Sequence, residues 1–304
     1  MKPLQKRNKF NRPSKEYTYR VESDSTLIDF LLATLKDKSR TTVKSYLSHR
    51  QVAVNGMPTS QFNTPLHKGD QVTINFTIGY KVFTHRRLRI IFEDEYLIVI
   101  DKGYGLLSMA TKNEKADTAY RIVSDYVKSN NPDGHIFIVH RLDRDTSGVM
   151  IFAKHQRIQE LLQRNWNEAV IERKYMAVVT GEPAPAQGEV KSYLKENAAM
   201  QVYSTNDSQN GQLAITRYNT VATNGRFSLL EVQLETGRKN QIRVHMHDLG
   251  HPIIGDRKYG STCNPIGRVA LHAKSLRFKH PITGQMLHFE SLTPEKFEYI
   301  VKQK

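Results

Sequence analysis

Apolar positions along the chain change their spacing several times, and the changes mark its elements. Residues 1–15 hold six Lys or Arg and no sustained apolar period, which predicts a flexible basic arm over residues 1–22. From Ser25 the pattern turns helical. Leu27, Phe30, Leu31 and Leu35 fall on one face, with Asp24 or Ser25 placed to cap the helix. A second helix is expected from about Arg40 to His49, with Val43 and Leu47 as its apolar side and Arg40, Lys44 and Arg50 as cations. QVAVNG then alternates as a strand does before an Asn-Gly turn, and HKGDQVTINF reads as a turn leading into another strand. These elements make a compact module over residues 23–78, followed by a basic linker over 79–88.

A larger unit is expected over residues 89–304. RLRIIFEDEYLIVIDK reads as two strands joined by an acidic turn, 114–128 as a helix and 136–139 as a short apolar strand. VMIFAK is a further apolar strand, 155–168 an amphipathic helix, and 175–179, 213–221 and 227–234 are strands. Several strands alternating with a few helices predict an α+β fold on a mixed or antiparallel sheet. The stretch 181–212 is rich in Gly, Pro, Asn, Gln and Ser and reads as a surface excursion.

Composition narrows the class. Hydrophobic residues are 38% of the chain, enough for a sizeable core. No stretch approaches the roughly 18 apolar residues a membrane span needs, and no apolar run follows the basic start, so neither a membrane nor a secretory signal is expected. Cys263 is the only cysteine. It offers neither an internal disulfide nor a thiolate metal cluster, and a reducing, cytoplasmic home is the simplest expectation. The net charge of +15 points to a polyanionic partner, of which nucleic acid is the commonest.

The densest chemistry lies in His140-Arg141-Leu142-Asp143-Arg144-Asp145-Thr146-Ser147-Gly148, between two apolar strands. A polar loop so held is a rigid mount for a reactive group. On the loop alone, a salt-bridged, Asp-capped turn reads equally well. His245, His247 and His251 suggest a metal, but neighbours two apart diverge on a helix, so no metal site is expected. Paired carboxylates also serve glycoside hydrolases, a poor match to so basic a chain.

HRLDRDTSG closely resembles the signature loop of the RluA family of pseudouridine synthases, enzymes that isomerise uridine within RNA. Further segments resemble that family in the same order: EDEYLIVIDKGYGLLS (93–108), RKYMAVVTG (173–181), LETGRKNQIRVHMHDLGHPIIGDRKYG (234–260) and ALHAKSLRFKHPITG (270–284). The small module resembles the S-four (αL) RNA-binding domain in SRTTVKSYL (39–47), VAVNG (52–56) and KGD (68–70), a pairing the family also shows. The resemblance implies that Asp143 is the catalytic carboxylate, acting either by attack on the anomeric carbon or by taking a sugar proton; both routes stay open. It implies that Arg243 pairs with Asp143, which a guanidinium can grip in a bidentate pose. It implies that Tyr175 stacks on the uracil, its phenol available to help remove the carbon-5 proton. Arg141 would fill the gap left by the extruded base, and Leu271 would lie against the uracil. Two departures stand out: Gly103 replaces a usual proline, which would loosen its turn, and Asn240 replaces a common histidine. Arg40, Lys44 and Arg50 are expected to bind RNA phosphates. No cofactor is implied, the partner is ribosomal RNA or else transfer RNA, and a monomer is expected. The competing reading is a noncatalytic RNA-binding factor for ribosome assembly, which would share the charge and the module but would not need Asp143, Tyr175 and Arg243 together.

Overall fold

The computed structural model describes residues 16–77, 79, 83–111 and 117–303. They form two compact units, one of the residues up to Phe83 together with Glu93–Glu95, the other of Thr84–Phe92 and the residues from Tyr96 on. Residues 1–15, part of the linker and the start of the helix expected at 114 lie outside the described residues.

In the small unit, β1 (Glu16–Arg20) and β2 (Ser25–Thr26) precede α1 (Leu27–Thr34) and α2 (Arg40–Ser48). After them come β3 (Val52–Val54), β4 (Met57–Pro58), β5 (Pro65–Leu66) and β6 (Gln71–Asn75). Thr26 and Ser39 cap the two helices, each side chain accepting from an amide three residues on. Leu27, Leu31, Val43, Leu47, Val52 and Ile74 close one buried core. Asn55 and Gly56 both take positive φ, so the Asn-Gly turn forms as read. The expected arm is overturned from Glu16 onward: β1 pairs antiparallel with β6. The cause is visible in Tyr17-Thr18-Tyr19, an alternation short enough to be hidden by flanking charges. Tyr19 packs on the core, while the exposed face sets the Thr18 hydroxyl 3.0 Å from that of Thr73.

The large unit begins with β7 (Leu88–Glu93), β8 (Leu97–Lys102), α3 (Ala119–Asn130), β9 (Phe137–Ile138) and β10 (Ser147–Ala153). It continues with α4 (Gln156–Arg164), α5 (Trp166–Ala169) and β11 (Val170–Thr180). Then follow β12 (Gln187–Glu196), β13 (Val202–Thr205), β14 (Gln212–Thr223) and β15 (Phe227–Leu234). Last come α6 (Gln241–Asp248), β16 (Leu271–Lys279), β17 (Met286–Glu290) and α7 (Glu295–Lys302). The strands join in one sheet of order β13-β12-β14-β15-β11-β16-β10-β8-β7, with β17 on β16 and β9 on β10. Only β10 and β16 pair in parallel among these, so the mixed α+β fold stands. The expected excursion at 181–212 is corrected: most of it is the β12–β13 hairpin, which extends the sheet. Its alternating exposed face is polar on purpose of solvation, so low hydrophobicity masks the strand. Among the described residues no helix is long and apolar enough to cross a membrane.

Candidate active site

Three adjacent strands bring the expected residues together. The loop 140–146 runs from β9 into β10 at Ser147, and β10 lies parallel to β16 with Gly148 opposite Ala273. Gly148 takes φ +115°, and a Cβ there would sit 2.1 Å from the Ala273 oxygen, so only glycine lets the two strands approach. On the other side of β16, Tyr175 of β11 also pairs with Ala273, just after a register shift at Lys174. That irregularity re-aims the side chain. Arg243 comes from α6. Arg141, Asp143, Tyr175, Arg243 and Leu271 all line one cleft.

The loop is tied by side chains from afar. Ser108 Oγ donates to the Leu142 oxygen at 2.6 Å and lies 3.1 Å from the Leu142 amide, which donates to it. Lys102, fully buried, donates to the oxygens of Gly103, Leu106 and Arg144 at 3.1, 2.8 and 3.2 Å. Burial pulls its ammonium down to about 7. Arg268 donates to the Asp145 oxygen at 3.2 Å, Ser147 Oγ at 2.8 Å and the Leu271 oxygen at 3.0 Å. The loop's conformation is therefore imposed by β8 and by the segment before β16.

Arg243 Nη1 donates to Asp143 Oδ2 at 3.1 Å. The bidentate grip expected on Asp143 goes instead to Asp256: Nε reaches Oδ2 at 2.6 Å and Nη2 reaches Oδ1 at 2.8 Å. A guanidinium offers one such fork per edge, and the inward edge is taken. Exposure grades outward, from 1% at Asp256 and 12% at Arg243 to 32% at Asp143. Burial works against the Arg243 charge, but the hydrogen bonds and charge of Asp256, then those of Asp143, outweigh it and raise the guanidinium's pKa. Its carbon lies 4.9 Å from the Tyr259 ring centroid. Asn240 adds a 3.2 Å acceptor for Nη1 and donates to the Tyr259 hydroxyl at 2.9 Å. It does so from a left-handed backbone (φ 56°), which asparagine tolerates.

Burial raises the Tyr175 phenol, and the Asp143 charge adds to this against the pull of Arg173. The phenol therefore stays protonated at neutral pH. Arg141 Nη1 lies 3.5 Å from Met109 Sδ. Leu271 is 4% exposed and belongs to the core as well as the cleft. The Gly103 departure does not loosen its turn: the Gly103 amide donates to the Arg87 oxygen at 2.7 Å, a bond proline cannot make. His245 is buried between Thr216 and Ser192, while His247 faces outward. Among the described residues no group of His, Cys, Asp or Glu is placed to hold a metal. In the small unit Arg40, Lys44 and Arg50 are all exposed, and among the described residues none meets a carboxylate.

Asp256, Lys102 and Arg268 escaped sequence reading. Lys102 closing an apolar strand was the one local signal; the Asp256–Arg243 contact exists only once the chain is folded.

A model of the RNA pseudouridylate synthase family matches residues 96–248. The RNA pseudouridine synthase YhcT of Bacillus subtilis is 31% identical over 278 residues, 90% of this chain and 91% of that one. Ribosomal large subunit pseudouridine synthase D of Neisseria meningitidis is 30% identical over 291 residues, 90% of this chain and 77% of its own length. tRNA pseudouridine synthase C of Haemophilus ducreyi is 32% identical over 238 residues, 71% and 95%. Among solved structures, human RNA pseudouridylate synthase domain containing 4 superposes with a TM-score of 0.57 at 25% identity, over 69% of this chain and 90% of that chain.

Proposed function

The chain belongs to the RNA pseudouridylate synthase family, isomerases acting on RNA, and we propose that Asp143, Arg243 and Tyr175 carry the reaction on uridines of ribosomal RNA. The observation that supports this most is the 3.1 Å contact of Arg243 with Asp143 in a cleft shared with Tyr175 and Leu271. Arg243 engages Oδ2, and Oδ1 has no partner among the described residues. That oxygen is the one available to attack the anomeric carbon or to take a sugar proton. The cation opposite fixes the carboxylate in orientation. Tyr175 and Leu271 form the faces between which a flipped uracil would lie, and exposed Arg141 stands ready to fill the vacated stack.

Relatives named for ribosomal RNA and for tRNA stand at similar identity. Ribosomal RNA is favoured by the small unit, whose three exposed cations suit a large folded RNA, and by an alignment to the ribosomal enzyme that covers 90% of this chain. The single free cysteine fits a cytoplasmic home. The test of the catalytic assignment is Asp143→Asn, which keeps size and removes charge. It is expected to fold and bind RNA while forming no pseudouridine; normal turnover would refute the assignment. Mapping pseudouridine in RNA from cells lacking the protein decides between ribosomal and transfer RNA.

A further inference from the structure

A second pocket, of about 390 Å³, opens beside the Asp143 cleft and shares Arg141, Asp143, Tyr175, Arg238 and Asn240 with it. Its volume lies within the range of small-ligand sites, and the catalytic assignments leave its Trp166, Arg173 and Arg238 unused. Its cations are unbalanced. Arg173 Nη2 donates to the Glu235 oxygen at 2.7 Å and Arg238 Nε to the Leu213 oxygen at 2.9 Å. Both partners are neutral backbone carbonyls, and neither arginine meets a carboxylate among the described residues. Lys239, by contrast, is paired with Glu196. Each guanidinium has five N–H donors, so several remain to be used. Gly237 keeps the space open: a Cβ there would lie 2.6 Å from Arg173 Nη1. Trp166 also lines the pocket, its ring centroid 5.1 Å from that of His140. Burial holds the His140 imidazole neutral, with Nε2 accepting from the Ile151 amide at 3.2 Å. The pocket thus offers an aromatic, uncharged surface and two guanidiniums unpaired with any carboxylate among the described residues, which together fit a nucleotide.

Resting on the proposed uridine site, we propose that this pocket is a subsite for the nucleotide adjoining the isomerised uridine, its phosphate held by Arg173 and Arg238 and its base set against Trp166. The isomerase reaction at one uridine does not need such a subsite. Its presence makes recognition depend on a neighbouring phosphate and base, so the enzyme discriminates a uridine in a chain from a free nucleoside.

Trp166 is the only tryptophan of the chain, so its emission reports on the pocket directly. The experiment titrates the intact protein with uridine, with uridine monophosphate and with the trinucleotide UpUpU, following tryptophan fluorescence and, separately, equilibrium dialysis of labelled ligand. UpUpU is expected to change the emission saturably, with the nucleoside silent. Arg238→Gln and Arg173→Gln, each checked for folding by circular dichroism, should weaken UpUpU about tenfold, the loss of one charge-assisted contact. Asp143→Asn should retain the signal. The proposal is overturned if dialysis shows UpUpU bound with no change in emission, if no UpUpU binds, if both folded arginine variants bind unchanged, or if the monophosphate binds as tightly as UpUpU. Pseudouridine formation on bulk cellular RNA is measured alongside. Wild-type turnover without the fluorescence change sinks the subsite alone, and the fluorescence change without turnover sinks the catalytic reading alone.

Discussion

Replacing Asp256 by asparagine removes the charge that occupies two of the Arg243 donors while keeping the side chain's shape. An amide carbonyl can accept from Nε or from Nη2, but its NH2 then faces the other guanidinium N–H. At 1% exposure for Asp256 and 12% for Arg243, water can do little to compensate. Breaking a buried ion pair from one side costs about 3–5 kcal/mol. The lower end applies here, because Asp143 remains as a counter-charge and one hydrogen bond survives. At roughly 2–4 °C per kcal/mol for a unit of this size, the melting temperature should fall by about 6–12 °C. The effect on turnover is separate. A guanidinium freed from Asp256 can swing its fork onto Asp143, pinning both carboxylate oxygens and displacing them. Misplacement of a reacting group by about 1 Å costs on the order of a hundredfold in rate. The measurement is release of the carbon-5 hydrogen from labelled RNA, well below the variant's melting temperature. kcat should fall about a hundredfold with KM little changed, since Asp256 is buried behind Arg243. Unchanged kcat in the folded variant would refute the idea that Asp256 positions the catalytic pair, whatever the melting temperature does.

Tyr175→Phe should keep at least about a tenth of kcat and Tyr175→Ala far less, given about 1–3 kcal/mol for stacking one base; equal losses in the two would show that the phenol matters. Burial lowers His140, His245 and His272 from 6.5 to about 3, 4 and 4. The unfolded chain therefore binds more protons than the folded one between about pH 6.5 and 4, and stability is lost as pH falls through that window. The slope reaches at most about 4 kcal/mol per pH unit with all three titrating, and a urea midpoint that stays constant from pH 7 to 5 would contradict it. Changing Arg40, Lys44 and Arg50 together to Ala should weaken binding of structured RNA and flatten its logarithmic salt dependence by about 2–3; an unaltered slope would remove the small unit as an RNA anchor.

The residues of the candidate cleft were legible through the segments that resemble the family: Asp143, Tyr175 and Arg243 each lie in one of them. On local pattern alone, the Asp143 loop between two apolar strands read equally well as a salt-bridged turn. Periodicity determined the two helices and the Asn-Gly turn of the small unit, and most strands of the large one. It failed where strands are mostly exposed. β1 and the β12–β13 hairpin carry polar residues on their open faces, and their pairing energy comes from backbone bonds to distant strands, which composition does not encode. The same limit explains the site's hidden half. Asp256 takes the Arg243 fork, Lys102 ties β8 to the loop, and Arg268 links the loop to the segment before β16. Each of these bonds joins residues that the chain separates by 13, 42 and 123 positions. Burial then decided their chemistry, since removing water strengthens the Arg243–Asp256 pair and depresses Lys102. Residue type supplied the candidate groups, and the dielectric and geometry that make them a site arose only when the sheet closed around them.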